Sequence, residues 1–187
     1  MPLSPTVERD ELHHRTISMK AYRRKDGLFD VEAHLRDTKP FDFGRLGRTD
    51  PLPAGESQHD LWLRIVLDDQ FTVRAIEAAS DTTPFSICPK ASSALTVLVG
   101  ERIGKGWSKI VRERLARVDN CTHLVELLLP LATTALMGIR GGTPLAVRFP
   151  PGVAPSYLDS CYAWSAEREM VATILPAYQR KRADAGN

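Results

Sequence analysis

The sequence predicts an α+β domain, an antiparallel sheet of about four strands covered on one face by three or four helices. Three observations carry this. Apolar and polar residues alternate with period two over separate stretches of the first half of the chain. Turn residues join those stretches into two hairpins, and apolar residues then recur at helical spacing from Pro89 onward. A sheet with one apolar face needs a cover, and the helices that follow it supply one.

The elements read in order along the chain. Residues 13–36 form a hairpin in which Ile17, Met19 and Ala21 alternate with polar partners. Arg23-Arg24-Lys25-Asp26-Gly27 is its turn, and Phe29, Val31, Ala33 and Leu35 return on the second strand. Asp37-Thr38-Lys39-Pro40 reads as a turn that stops this strand. Residues 37–58 are rich in Pro, Gly and charge and read as a long loop. The strand over Asp60–Leu67 puts Leu61, Leu63, Ile65 and Leu67 on one face. After Asp68-Asp69-Gln70, a fourth strand carries Phe71, Val73 and Ala75. The sheet thus falls within 13–78 and the helices within 89–140.

The first predicted helix is Ala91–Val99, closed by Gly100. The second is Trp107–Val118, with Trp107, Ile110, Val111, Arg114 and Leu115 on one face. The third begins at Asn120 or Thr122, which can cap it, and runs through Leu136 with Pro130 as a kink. Residues 141–156 read as a Pro/Gly-rich linker, and a last helix over Ser165–Arg182 packs on the same domain. Its basic tail, Gln179-Arg180-Lys181-Arg182, reads as a solvated end.

Composition bounds the function classes. The 187 residues are 43% hydrophobic and 26% charged, which suits a soluble globular chain of one domain. A net charge of +2, from 25 basic and 23 acidic residues, argues against a nucleic-acid binder. No apolar run reaches the length of a membrane span, and no basic-then-apolar leader opens the chain. Cys88, Cys121 and Cys161 are an odd set without disulfide spacing, which points to free thiols in a reducing cytoplasm.

Reactive side chains concentrate in Asn120-Cys121-Thr122-His123-Leu124-Val125-Glu126, where a helix begins, and in Ile87-Cys88-Pro89 upstream. His123 and Glu126 are three apart and share a helix face, so Glu126 can orient His123 as an acid/base. Cys121 is two residues from His123 and converges on it only from the cap. Cys88, Cys121 and His123 could supply three ligands to zinc, with His59, Asp60 or water as the fourth. The bland alternative is a small buried Cys beside an ordinary His–Glu pair. His59 heads a strand, a place that often lines a pocket. Arg102, Arg112 and Arg114 are candidates for a substrate carboxylate, and Trp107, at the helix start after the glycine-rich Gly100-Glu101-Arg102-Ile103-Gly104-Lys105-Gly106 turn, could help bind an anion. His34 lies on the polar face of its strand, and His13-His14 carry little signal.

His59-Asp60-Leu61-Trp62-Leu63-Arg64, Ile87-Cys88-Pro89, Arg102-Ile103-Gly104-Lys105-Gly106-Trp107 and Cys121-Thr122-His123-Leu124-Val125-Glu126-Leu127 together resemble a bacterial family catalogued as a domain of unknown function, over roughly residues 5–140. That resemblance implies no reaction. A looser, architectural likeness is to the U-type iron–sulfur cluster scaffold proteins, which hold clusters or zinc through Cys and an Asp or His. Cys88 and Cys121 have counterparts there, while the Cys-Gly-Asp element between the strands is lacking.

Two function classes follow. The first is a small cytoplasmic enzyme without an organic cofactor, a lyase or hydrolase of a small organic acid or aromatic compound. His123, Glu126, Cys121 and His59 would be its catalytic residues, with Cys121 or Cys88 available as nucleophile. The second is a metal-binding or iron–sulfur/zinc scaffold-like module without catalysis, using Cys88, Cys121 and His123 to hold a cluster or a single zinc or iron ion. The expected partner is a small-molecule substrate, with neither nucleic acid nor membrane, and homo-oligomerisation is left open.

Overall fold

Four antiparallel strands form one sheet in the order β1-β2-β3-β4: β1 His14–Arg23, β2 Phe29–Thr38, β3 Ser57–Leu67 and β4 Val73–Thr82. This α+β arrangement is the predicted one. The structure is a computed structural model and describes residues 3–115, 118–142, 144, 150, 152–155 and 157–180. The chain divides into two compact units, Met1–Gly141 and Gly142–Asn187.

The β1–β2 turn closes with Arg24 N–H donating to the Leu28 carbonyl, and Gly27 takes the left-handed φ of 87° that favours glycine. Register then stacks apolar residues in rows across the strands. Ile17–Leu35–Leu61, Met19–Ala33–Leu63 and Ala21–Val31–Ile65 lie opposite one another and point to the same face. The β2 and β3 members of these rows are fully buried. Truncating any of the leucines to Ala should therefore cost about 2–5 kcal/mol.

Strand β4 departs from the expected alternation. Val66 pairs with Ala75 while Leu67 pairs with Val73, so Arg74 is an extra residue, a β-bulge. The bulge flips the phase: Val73 and Ile76 are buried and Ala75 is exposed. Phe71 belongs to the turn, at φ 64°. Asp68 organises that turn by accepting the N–H groups of Gln70 and Thr72 and pairing with Arg74.

The segment Cys88–Leu98 is a 3-10 helix, starting earlier than the predicted α-helix. Its buried Leu95 and Leu98 are three apart, the spacing that aligns in a 3-10 helix. Helix α1 spans Trp107–Arg114 and ends short of the predicted Val118, with Leu115 at its C-cap. Helix α2 spans Thr122–Gly141 and continues beyond Leu136 with Pro130 inside it. Leu124, Leu127, Leu128, Leu131 and Ala135 of α2 are buried at helical spacing, and the helix lies over β1, β2 and β3. Contrary to the expectation that no apolar run reaches the length of a membrane span, α2 would suffice by length and composition alone; here its apolar stripe covers the sheet.

In the second unit the predicted helix over Ser165–Arg182 is much shorter. Helix α3 spans only Glu169–Ile174, followed by a 3-10 turn Pro176–Tyr178. Pro176 disfavours helical backbone at the residue before it, and Leu175 sits at φ −134°, ψ 58°. Lys181 and Arg182 of the basic tail lie outside the described residues, as does much of the linker, including Thr143 and residues 145–149.

Candidate functional site

The apolar rows of the sheet end in a polar one. Arg15, Asp37 and His59 sit directly opposite one another across β1, β2 and β3, in the same phase as the core residues beside them. Asp37, read from sequence as part of a turn, is the last inward residue of β2 and is 1% exposed. Strand β2 runs past it to Thr38. A charge in that position must be compensated, and four hydrogen bonds do so. Asp37 Oδ1 accepts from Arg15 Nε at 2.8 Å and pairs with His13 Nε2 at 3.1 Å. Asp37 Oδ2 accepts from Arg15 Nη2 at 2.9 Å and pairs with His59 Nδ1 at 3.0 Å. A carboxylate offers about four acceptor positions, so these partners fill them.

Helix α2 brings the second half of the site. Cys121 stands at the N-cap, its carbonyl accepting the Val125 N–H, and places His123 on the first turn. The His123 ring lies against that of His59, with centroids 4.0 Å apart and planes inclined by 39°. Cys121 Sγ is 3.9 Å from His123 Nδ1. Glu126 does not orient His123 as the sequence suggested; it accepts from Arg15 Nη1 at 2.9 Å. One turn further along α2, it reaches across to β1 rather than back to the imidazole.

Electrostatics separates the charged and neutral members. Burial pushes the Asp37 carboxyl up, but the hydrogen bonds and charge of Arg15, with His13 and His59, outweigh it and hold Asp37 below its ordinary 3.8. Burial pulls His59 below its ordinary 6.5, His123 adds to this, and Asp37 opposes both. Asp37 is thus held as a carboxylate and His59 as a neutral imidazole. With Nδ1–H donated to Asp37, His59 Nε2 keeps its lone pair.

His59 and His123 open onto a cavity of about 1140 Å³, which Cys88, Arg114, Asn120 and Cys121 also line. Its rim carries Phe85, Ile87 and Val97, all exposed. The cavity therefore gathers His59, Cys88, Arg114, Cys121 and His123 from the sequence candidates. The others lie elsewhere. Trp107 is a core residue, 4% exposed, and its indole N–H donates to the Leu128 carbonyl at 3.0 Å. Arg102 donates from Nε to the Gln70 carbonyl, because residues 100–103 hydrogen-bond along Phe71–Val73. Arg114, although in the cavity lining, is held by Glu101 at 2.7 Å.

The ligand set also differs from the expected Cys88, Cys121 and His123. Among the described residues, the set that could hold a metal is Asp37, His59 and His123, whose donor atoms lie within 4.8 Å of one another. Sequence reading missed Asp37, Arg15 and His13. The signal was present, since Asp37 continues the Phe29, Val31, Ala33, Leu35 alternation and Arg15 continues that of Ile17, Met19 and Ala21.

A family model described as a protein of unknown function, DUF2889, matches residues 13–137. The chain belongs to the DUF2889 family. The match contains the whole of the polar row together with the start of α2, from His13 to Glu126. No curated protein and no solved structure matches this DUF2889 chain.

Proposed function

We propose that the cavity is the active site of an enzyme acting on a small organic molecule by proton transfer, with His59 as general base. The observation that carries this reading is the Asp37–His59 bond. A buried carboxylate, itself fixed by Arg15 and His13, holds one nitrogen of an imidazole whose other nitrogen keeps its lone pair for a ligand. A base must be oriented, mostly neutral at working pH and within reach of a bound molecule. His59 meets the first two conditions by geometry and burial, and it meets the third by lining the cavity. Here Asp37 takes, toward His59, the orienting role that the sequence gave to Glu126 toward His123. His123, its ring lying against that of His59, stands beside it as a second acid/base group. Proton abstraction of this kind serves lyases and hydrolases alike.

A second reading has one observation in its favour, the approach of three donor atoms from Asp37, His59 and His123. Two imidazoles and a carboxylate suit zinc or iron. The filled acceptor positions of Asp37 and the adjoining Arg15 cation stand against it as a direct ligand. In that case Asp37 would act one step removed, orienting a metal-bound His59.

One experiment separates these readings. Small organic acids and aromatic compounds are screened for binding by ligand-observed NMR, and each binder is followed for turnover. Wild-type protein stripped by a chelator should turn over at least one binder, and His59→Gln should bind it without turnover. Retained turnover in His59→Gln would contradict the general-base role. Activity lost to the chelator and restored by zinc or iron would move the site to the metal reading.

A further inference from the structure

The two histidines face more than one space. A second compartment, of about 300 Å³, is walled by Phe43, Leu46, Leu52, Pro84 and Phe85, and His59 and His123 line it as well. His59, Thr83, Pro84, Phe85 and His123 are common to both compartments. The imidazole pair therefore sits on the wall between a large space and a small one.

One wall of the small compartment is built by residues 39–56, inside the stretch 37–58 that reads from sequence as a long loop. That segment has its own order. Phe43 and Leu52 form a two-way backbone bridge at 2.8 Å, Gly55 N–H donates to the Lys39 carbonyl, and Ala54 N–H donates to Asp42 Oδ1. Lys39 lies over the Phe43 ring at 4.7 Å, and Arg45 is paired with Asp50. Arg45, the permanent cation on the compartment wall among the described residues, is thus neutralised within the loop. The rest of the lining is mainly aromatic and aliphatic, with the uncharged Ser57, Gln58, Thr82 and Thr83 and the two imidazoles beside it.

We propose that the ligand is bipartite. An uncharged apolar group, a phenyl or short branched alkyl, fills the compartment under the 39–56 loop, and the rest of the molecule lies in the larger cavity. The bond acted on sits between them, at His59 and His123. This rests on the active-site reading above and adds the specificity element to it. A volume of 300 Å³ lies at the low end for ligand sites, so the compartment selects by size as well as polarity.

The test uses a series of uncharged primary amides from acetamide to octanamide, with benzamide, titrated while the ring signals of His59 and His123 are followed by NMR. Affinity should rise roughly fourfold per added methylene until the compartment is full, and then stop rising. Leu46 is 83% exposed, so Leu46→Trp should fold normally while narrowing the compartment and moving that limit to a shorter chain. Phe43→Ala should move it to a longer one. Amides that shift the histidine signals with a length limit indifferent to both substitutions would overturn the compartment and leave the active-site reading standing. Failure of every amide to shift those signals would count against the compartment and the active site together.

Discussion

Replacing Asp37 with Asn should destabilise the protein by about 2–4 kcal/mol, and the reason lies in how its carboxylate is used. Its two oxygens make four contacts of 2.8–3.1 Å, to Arg15 twice and to His13 and His59. Asparagine keeps the shape, removes the charge and aims an NH2 group at donors. Removing one partner of a buried ion pair costs about 3–5 kcal/mol, and hydrogen bonds to charged groups contribute about 1.5–3 kcal/mol each. The estimate stands below the sum because Arg15 is about one-third exposed and keeps Glu126 as a partner. Urea unfolding at pH 7.5, followed by tryptophan fluorescence, measures the change. The double substitution Asp37→Leu with Arg15→Met should recover part of the loss, since it leaves neither charge stranded. A loss below about 1 kcal/mol in Asp37→Asn would refute the reasoning, because a buried, fully bonded carboxylate cannot be that dispensable.

The folded His59 titrates below its ordinary 6.5, so on acidification the unfolded chain takes up its proton first and stability falls as pH drops below 6.5 toward the lower folded value. His59→Gln should lose less stability over the same interval, and equal slopes in parallel urea titrations would contradict this. Asp37 titrates below 3.8 when folded, so its contribution is present above 3.8 and fades only as pH falls through the lower folded value; Asp37→Asn should flatten that acid limb in unfolding followed by circular dichroism. Gly138→Ala should destabilise by about 1–3 kcal/mol despite the better helix propensity of Ala, because the new Cβ would stand 2.6 Å from Ala21 Cβ; thermal melts should also show partial rescue by Ala21→Gly.

Much of the sheet was legible because its physics is local. The alternation in Phe29–Leu35 and Leu61–Leu67 is the pleat itself, and the structure follows it. The Arg74 bulge was not legible, since it arises from pairing with Val66 and Leu67 and leaves no mark in the β4 sequence alone. The helix ends at Arg114 and Ile174 were missed for related reasons, although Pro176 carried a usable stop signal. For the site, the sequence directed attention to helix starts, where Cys88, Cys121 and His123 do line one cavity. The carboxylate that organises the cavity came instead from the end of a strand. Asp37 looked like turn chemistry because Lys39-Pro40 follows it, whereas its phase, two residues after Leu35, marked it as inward. The partnership of Arg15, Asp37 and His59 depends on register between three strands, which the sequence of any one strand does not state.

The protonation state of His59 tests the central claim most directly. Long-range ¹H–¹⁵N correlation of the imidazole at neutral pH identifies which ring nitrogen carries the proton. A neutral ring is expected, with Nδ1 protonated toward Asp37 and Nε2 bearing the lone pair, and Asp37→Asn should disturb that pattern while His34 keeps its own. A cationic His59 at neutral pH, or a neutral ring protonated on Nε2, would contradict the account.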